Sequence, residues 1–301
     1  MSFADMKMEK VELEKGETIA CRERVTGGKK LVLIHGNMVS SRHFDILVDA
    51  LPEDLHILAP DMRGFGESSY NKEINSLAEL ADDIKEVLDK KNYSSYSILG
   101  WSTGGGVAME IAADRPQEVE KLILLESVST RGYPMYEKDK NGQPIPGKLL
   151  KTKEEIAADP VKTQPIKNAQ EQGNKEFIRQ VWNKLIYNNN KPSAEKYEEY
   201  LDDILTQRNL VDIYYSLAHF NISSEHNGLE PGNNKAKKIE TPTLVLWGEN
   251  DMVITEDMAQ QTAEDLGNNA ELVYLENCGH SPLIDDIDQL VEVIMGFMQE
   301  K

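Results

Sequence analysis

The chain has only two cysteines among its 301 residues, Cys21 and Cys278. Two thiols build neither a disulfide framework nor a four-thiolate metal site, and such scarcity fits a reducing, cytoplasmic setting. Long apolar runs are missing too: none approaches the roughly 18 residues of a membrane span. The opening Met1-Ser-Phe-Ala-Asp-Met-Lys-Met-Glu-Lys10 has no apolar h-region, so export by a signal peptide is not expected. Basic charge is also short. The 52 acidic residues against 33 basic ones leave a net charge of −19, which repels phosphate backbones and anionic headgroups at long range and argues against nucleic acid as a partner. No internal repeat of solenoid period is present, and the one low-complexity stretch, Asn188-Asn-Asn-Lys-Pro192, reads as a loop.

What is there is an ordinary globular composition, 40% hydrophobic and 28% charged, in a chain long enough to bury a substantial core. Short apolar, β-rich runs alternate with helical patterns: Lys30 to His35 and then about Val39 to Leu51; Ile57 to Pro60 and then Ser76 to Lys91; Ser95 to Gly100 and then Thr103 to Arg115; Glu120 to Leu125. Nearly continuous apolar strands, each followed by a helix, predict a mostly parallel sheet covered on both faces, an α/β core. From about Thr130 to Lys237 the alternation gives way to polar, helix-favouring sequence, including Glu176 to Tyr187 and Ser193 to Arg208. Strands return at Thr241 to Trp247 and Glu271 to Leu275. The pattern predicts a core of residues 1–129 and 238–301 carrying an inserted, mainly helical domain of residues 130–237.

The stretch Ile98-Leu-Gly-Trp-Ser-Thr-Gly-Gly-Gly-Val107 sets one serine among four glycines at a strand-to-helix junction. Its G-x-S-x-G spacing stands in the context that motif requires, where a sharp turn exposes the serine hydroxyl and side chains beside it would collide with the turn. About 0.1 such match is expected by chance in a chain of this length. Further landmarks follow in order: His35-Gly36 after a strand, Asp61-Met-Arg-Gly-Phe-Gly-Glu-Ser68, Gly248-Glu-Asn-Asp251 after a strand, and Gly279-His-Ser-Pro282 after the last strand. On these residues the chain resembles the α/β-hydrolase superfamily from about Leu31 to Leu125 and from Thr241 onward; the central block is unmatched. The order Ser102, Asp251, His280 is the order of the acid–base–nucleophile set in that fold.

The resemblance implies a chemistry. A serine hydroxyl is a weak nucleophile near neutral pH, so His280 takes its proton during attack and later returns one to the leaving group, while Asp251 fixes the useful tautomer and stabilises the charged ring. The oxyanion formed on the acyl carbon is met by backbone N–H groups, which by position are those of Asn37 and Thr103. Glu126, at the end of the preceding strand, is a rival acid, since some members of the superfamily supply it there. Asp285 and Asp286 read as solvated first-turn helix residues. His35 reads as a brace for its loop, and His43, His56, His219 and His226 show no pairing at metal-ligand spacing, so no metal is expected. Cys278 is assigned to packing. Gly142-Gln-Pro-Ile-Pro-Gly-Lys148 mimics a phosphate loop, but Leu149 stands where a hydroxyl should bind Mg²⁺ and no strand precedes it.

The loop His35-Gly-Asn-Met-Val-Ser40 is similar to that of haloalkane dehalogenases, whose nucleophile is an aspartate; Ser102 favours acyl transfer instead. Asn37-Met38 lacks the Gly-Pro that carbon–carbon bond hydrolases and prolyl aminopeptidases tend to carry there. The expected activity is therefore hydrolysis of small or medium acyl esters without a cofactor, the partner being a small-molecule acyl substrate. Thioester or lactone hydrolysis, carbon–carbon cleavage of a ketone and a non-catalytic receptor are the alternatives. The inserted block would cap the carboxyl ends of the strands, where ligands of open α/β sheets bind. It offers Tyr133, Met135, Trp182, Ile186, Tyr187, Tyr214, Tyr215, Leu217 and Phe220 for its own core or for the acyl pocket.

Overall fold

The computed structural model describes residues 2–300. Eight strands form one sheet in the order β1-β2-β4-β3-β5-β6-β9-β10. They are β1 (Lys7–Glu12), β2 (Thr18–Arg24), β3 (Lys30–Ile34), β4 (His56–Pro60), β5 (Tyr96–Trp101), β6 (Val119–Leu125), β9 (Thr243–Gly248) and β10 (Ala270–Leu275). From β4 to β10 all neighbours are parallel, whereas β1 and β2 pair antiparallel with each other and β2 antiparallel with β4. The two antiparallel strands are absent from the sequence reading, and the reason is visible in β1. Its residues, Lys-Met-Glu-Lys-Val-Glu, are exposed or half-buried throughout, as suits a charged edge strand that discourages further pairing. Every residue of β5 is buried, so its continuous apolar run marks the centre of the sheet.

Helices α1 (Asp45–Ala50), α2 (Leu77–Lys90), α3 (Thr103–Asp114), α9 (Glu256–Leu266), α10 (Pro282–Asp285) and α11 (Ile287–Gln299) accompany these strands. The helix expected from Val39 is shorter, because Ser40 is extended and its hydroxyl accepts from the Arg42 N–H to open a 3₁₀ turn before α1. In α2, Ser76 caps the first turn through Glu79, and Leu77, Leu80, Ala81, Ile84, Val87 and Leu88 form one buried stripe. Between β6 and β9 the chain adds no strand to the main sheet. It forms a ribbon of β7 (Tyr136–Lys138) and β8 (Pro144–Leu149) and the helices α4 (Lys153–Ala157), α5 (Thr163–Glu171), α6 (Lys175–Leu185), α7 (Ala194–Ile204) and α8 (Leu210–His219). The phosphate-loop mimic lies in that ribbon. No helix among the described residues is long and apolar enough to cross a membrane.

Sheet register decides what meets at the carboxyl edge. Ile34 lies opposite Gly100, Trp101 opposite Leu125, Leu125 opposite Leu246 and Gly248 opposite Leu275. The residues that leave these strands, His35, Ser102, Glu126, Glu249 to Asp251 and Cys278 to His280, therefore emerge side by side.

At the same edge, the Asp61–Ser68 segment that follows β4 is held by buried polar contacts. Asp61 accepts from the N–H groups of Ser41 and Glu67 at 2.9 Å each. Arg63 donates to Asp83 of α2 at 2.8 Å, with both side chains at most 2% exposed, and to the carbonyl oxygens of Lys72 and Glu73. Lys15 also pairs with Asp83. Removing one partner of a buried pair strands the other charge at a cost of about 3–5 kcal/mol. Asp83→Ala is accordingly expected to lower the unfolding free energy by about that amount in urea titrations, and an effect below ~1 kcal/mol would show that the pair is solvated.

Candidate active site

Ser102 occupies the turn between β5 and α3 at φ 54° and ψ −118°, a region that costs a residue with a Cβ roughly 1–3 kcal/mol and persists only when surroundings enforce it. They do so from two sides. The Ser102 N–H donates to Leu125 O at 2.9 Å, and its carbonyl accepts from Gly105 at 3.0 Å and from Val128 at 3.1 Å. The neighbouring glycines are required by close approach. A Cβ at Gly100 would lie 2.3 Å from Gly104 O, and one at Gly104 would lie 2.2 Å from Ile34 O, so either would push helix and strands apart.

The Ser102 hydroxyl is 3.1 Å from His280 Nε2, and His280 Nδ1 is 2.8 Å from Asp251 Oδ2. Asp251 has a fully buried side chain, and its other oxygen accepts from the N–H groups of Val253 (2.6 Å) and Ile254 (3.0 Å). Burial pushes its pKa up, but His280, Glu126 and these amides outweigh burial and hold the carboxyl below its ordinary range. An ionised Asp251 only accepts, so Nδ1 of His280 carries the proton and Nε2 is left to accept from the serine hydroxyl.

Glu126 stands behind this pair, fully buried and at φ 43°. Its Oε1 accepts from the Gly248 N–H at 2.7 Å. Burial, followed by the neighbouring Asp251 charge, raises its pKa well above the usual carboxylate range. Two adjacent carboxyls do not both ionise readily; here Glu126 keeps its proton and donates to Asp251. Hydrogen bonding to the histidine thus goes to Asp251, and Glu126 supports it. One donor atom from each of Glu126, Asp251 and His280 lies within 4.8 Å of the others. That spacing suits a metal, yet Asp251 and His280 are already bonded to each other and Glu126 is protonated.

The first loop is set by His35. Its Nε2 accepts from the Met62 N–H and its Nδ1 donates to Gly36 O, both at 2.8 Å. Burial depresses its pKa, and the two bonds define a neutral ring that ties the loop to the Asp61–Ser68 segment. Asn37 and Thr103 both line a cavity shared with Ser102 and His280, and the backbone N–H of neither has a protein acceptor among the described residues. Met38, next in the loop, is held at φ 64°. Burial raises the pKa of both Cys21 and Cys278 to about 12, so both stay inert thiols.

Several supporting residues escaped the sequence reading. Trp101, the variable position before the serine, donates from Nε1 to His280 O at 2.9 Å. The asparagine run is more than a loop: Asn188 donates to Asn250 O at 2.8 Å, Asn189 to Asn277 O at 2.6 Å and Asn190 to Asp285 O at 2.7 Å. It fastens the inserted segment to the two loops that carry Asp251 and His280. Asp285 lies in the single turn of α10, but it is not solvated. It ends α10 and accepts from Gly279 N–H at 2.8 Å and Asn190 N–H at 2.9 Å, and burial raises its pKa. Asp286 does cap α11, through Gln289 N–H at 3.0 Å. The bonds of Trp101 and of the asparagine run join residues far apart in the chain.

The cavity has a volume of about 510 Å³, within the range of small-molecule sites. Of the inserted segment's apolar candidates, Tyr133, Trp182, Ile186, Tyr214 and Leu217 line it. Met135, Tyr187 and Phe220 are buried elsewhere and Tyr215 packs on His219.

A family model described as the alpha/beta hydrolase fold matches residues 29–287. The chain is 24% identical to a 2-hydroxy-6-oxononadienedioate/2-hydroxy-6-oxononatrienedioate hydrolase of Cupriavidus pinatubonensis, over 90% of this chain and 88% of that one. It is 25% identical to Lipase 3 of a Moraxella species, over 95% and 82%. Among solved structures, an esterase from Exiguobacterium antarcticum superposes with a TM-score of 0.74 at 19% identity, covering 98% of this chain and all of the other.

The protonated Glu126 has a thermodynamic signature. Unfolding returns it to its ordinary pKa near 4.5, so above that pH the folded chain holds a proton that the unfolded chain has released. Stability contributed at this position falls as pH rises, by at most about 1.4 kcal/mol per pH unit. Glu126→Gln, which reproduces the neutral acid, is expected to have a Tm advantage over the native protein that grows from pH 4 to pH 7. A Tm difference independent of pH would mean that Glu126 is ionised in the fold.

Proposed function

The chain belongs to the α/β-hydrolase fold family, and from that premise we propose that it is a serine hydrolase cleaving carboxylic esters of small or medium acyl groups through an acyl-enzyme. The observation that carries this reading is the unbroken hydrogen-bond line from the Ser102 hydroxyl through His280 to Asp251 at a cavity of about 510 Å³. Ser102 attacks the acyl carbon while His280 Nε2 takes its proton; the Asp251 charge stabilises the imidazolium that forms. The tetrahedral oxyanion takes the N–H groups of Asn37 and Thr103, both free of other acceptors. His280 then protonates the departing alcohol. A water molecule repeats the sequence on the acyl-enzyme, with His280 again as base, and releases the acid.

Residues 130–237 serve as the cap in this reading. The cavity is walled by α3 and the β3 loop on one side and by the inserted segment on the other, so closing it excludes bulk water and strengthens the charges inside. A second reading, hydrolysis of a carbon–carbon bond in a ketone, draws on the Cupriavidus relative.

Chromogenic esters of graded acyl length separate these readings. The native protein is expected to turn them over with an optimum at small or medium length. Ser102→Ala should lose at least ~10³ in kcat and Asp251→Asn about 10⁴, whereas Glu126→Gln should stay within about threefold, less than ~1 kcal/mol in the barrier. Inert esters beside cleaved diketones would transfer the assignment to the second reading, and tight ligand binding without turnover would mark a receptor.

A further inference from the structure

The cavity at Ser102 inverts the charge balance of the protein. The chain has 52 acidic residues against 33 basic ones, yet the cavity is lined by three lysines, Lys138, Lys162 and Lys184, and by no aspartate or glutamate. Several lysines of the inserted segment outside the cavity lining are paired, Lys148 with Glu137, Lys153 with Asp212 and Lys167 with Glu171, while Lys140, Lys151 and Lys191, also outside it, form no ion pair among the described residues. Among the described residues none of the three cavity lysines has an acidic group within the 4.0 Å of an ion pair.

Lys162 is the most constrained of them. It is half-buried just before α5, with its ammonium 4.2 Å from the ring centre of Tyr133 and 4.9 Å from that of Tyr214. Both tyrosines also line the cavity. Asp159, the nearest acid in sequence, spends one oxygen on the N–H groups of Val161 (2.9 Å) and Lys162 (3.3 Å) and forms no ion pair with the ammonium. Burial works against the charge of Lys162, but Tyr133, Tyr214 and Asp159 outweigh it and hold its pKa above that of an ordinary lysine. Ring faces attract a cation but do not satisfy three N–H donors. Such a group, placed where a substrate must lie, favours a ligand that brings an acceptor of opposite charge and penalises one that leaves the donors unmet.

We propose that Lys162, seated on Tyr133 and Tyr214 and reinforced by Lys138 and Lys184, selects substrates that carry a carboxylate remote from the bond cleaved. The preferred ester is then a half-ester of a dicarboxylic acid or an ester of a carboxylate-bearing alcohol. This rests on the ester-hydrolase reading of the same site, and binding and turnover test the two separately.

For turnover, para-nitrophenyl hydrogen adipate is compared with para-nitrophenyl hexanoate, and the butyrate ester of hydroxybenzoate with phenyl butyrate. The first pair places the carboxylate on the acyl side and the second on the alcohol side. In at least one pair the anionic ester is expected to exceed its neutral partner by about tenfold or more in kcat/KM, mainly through KM. Lys162→Met should collapse that ratio towards one, and Lys162→Arg should restore most of it. A native ratio near one in both pairs, or a preference that survives Lys162→Met, overturns the proposal while leaving the ester reading intact.

For binding, adipate is titrated calorimetrically into Ser102→Ala and into Ser102→Ala combined with Lys162→Met. At least tenfold weaker binding to the double variant is expected. If every ester is inert but adipate binds in this lysine-dependent way, the ester reading fails and the anion site stands. Equal affinity, or no binding to either, counts against the site.

Discussion

The backbone of Ser102 is held from both sides in a conformation that a free turn would leave. Its N–H and C=O are tied to Leu125 at the end of β6 and to Val128 beyond it, as well as to its own helix, and the contacts of Gly100 and Gly104 leave no room for the helix to back away. The other parts of the site are referenced to that point. Gly36 is next to it because β3 pairs with β5, and Glu126 is next to it because β6 pairs on the other side. A shift of one residue in either register would turn alternate side chains to the opposite face and separate the serine from the histidine.

Two carboxyls compete for the position beside His280, and electrostatics divides their roles. Asp251 gains from the ring and from two backbone amides, so its charge is supported although it is buried. Glu126 receives one amide and faces the Asp251 charge, so it holds its proton and acts as a donor. The result is an ordered chain of hydrogen bonds from Gly248 through Glu126, Asp251 and His280 to Ser102, with each group in the protonation state that suits the next one. Trp101, adjoining the serine in sequence, closes the circuit by gripping the histidine backbone.

The segment between β6 and β9 is joined to this arrangement by specific polar contacts as well as by packing. Asn188, Asn189 and Asn190 bond to the loops that bear the acid and the base, so a displacement of the segment is felt at both. The same segment brings lysines to the cavity in a strongly acidic protein. Surface acidity and the charge of the cavity lining are thus independent features.

Residues 98–107 show how much the amino-acid order determines directly. An apolar run, a glycine-bounded serine and a small-residue helix are local features, governed by backbone sterics and by period, and for that reason they were legible. So were the parallel strands and the order of the serine, the acid and the histidine. The antiparallel strands β1 and β2, the bonding of the asparagine run, the partial burial of Asp285 and the place of Glu126 behind Asp251 belong to the tertiary structure. Each depends on which groups lie within hydrogen-bond distance across tens to hundreds of residues, and on how far water is excluded around them. Neither quantity is a property of any short stretch of the chain, because desolvation and charge coupling exist only once the strands have brought their ends together.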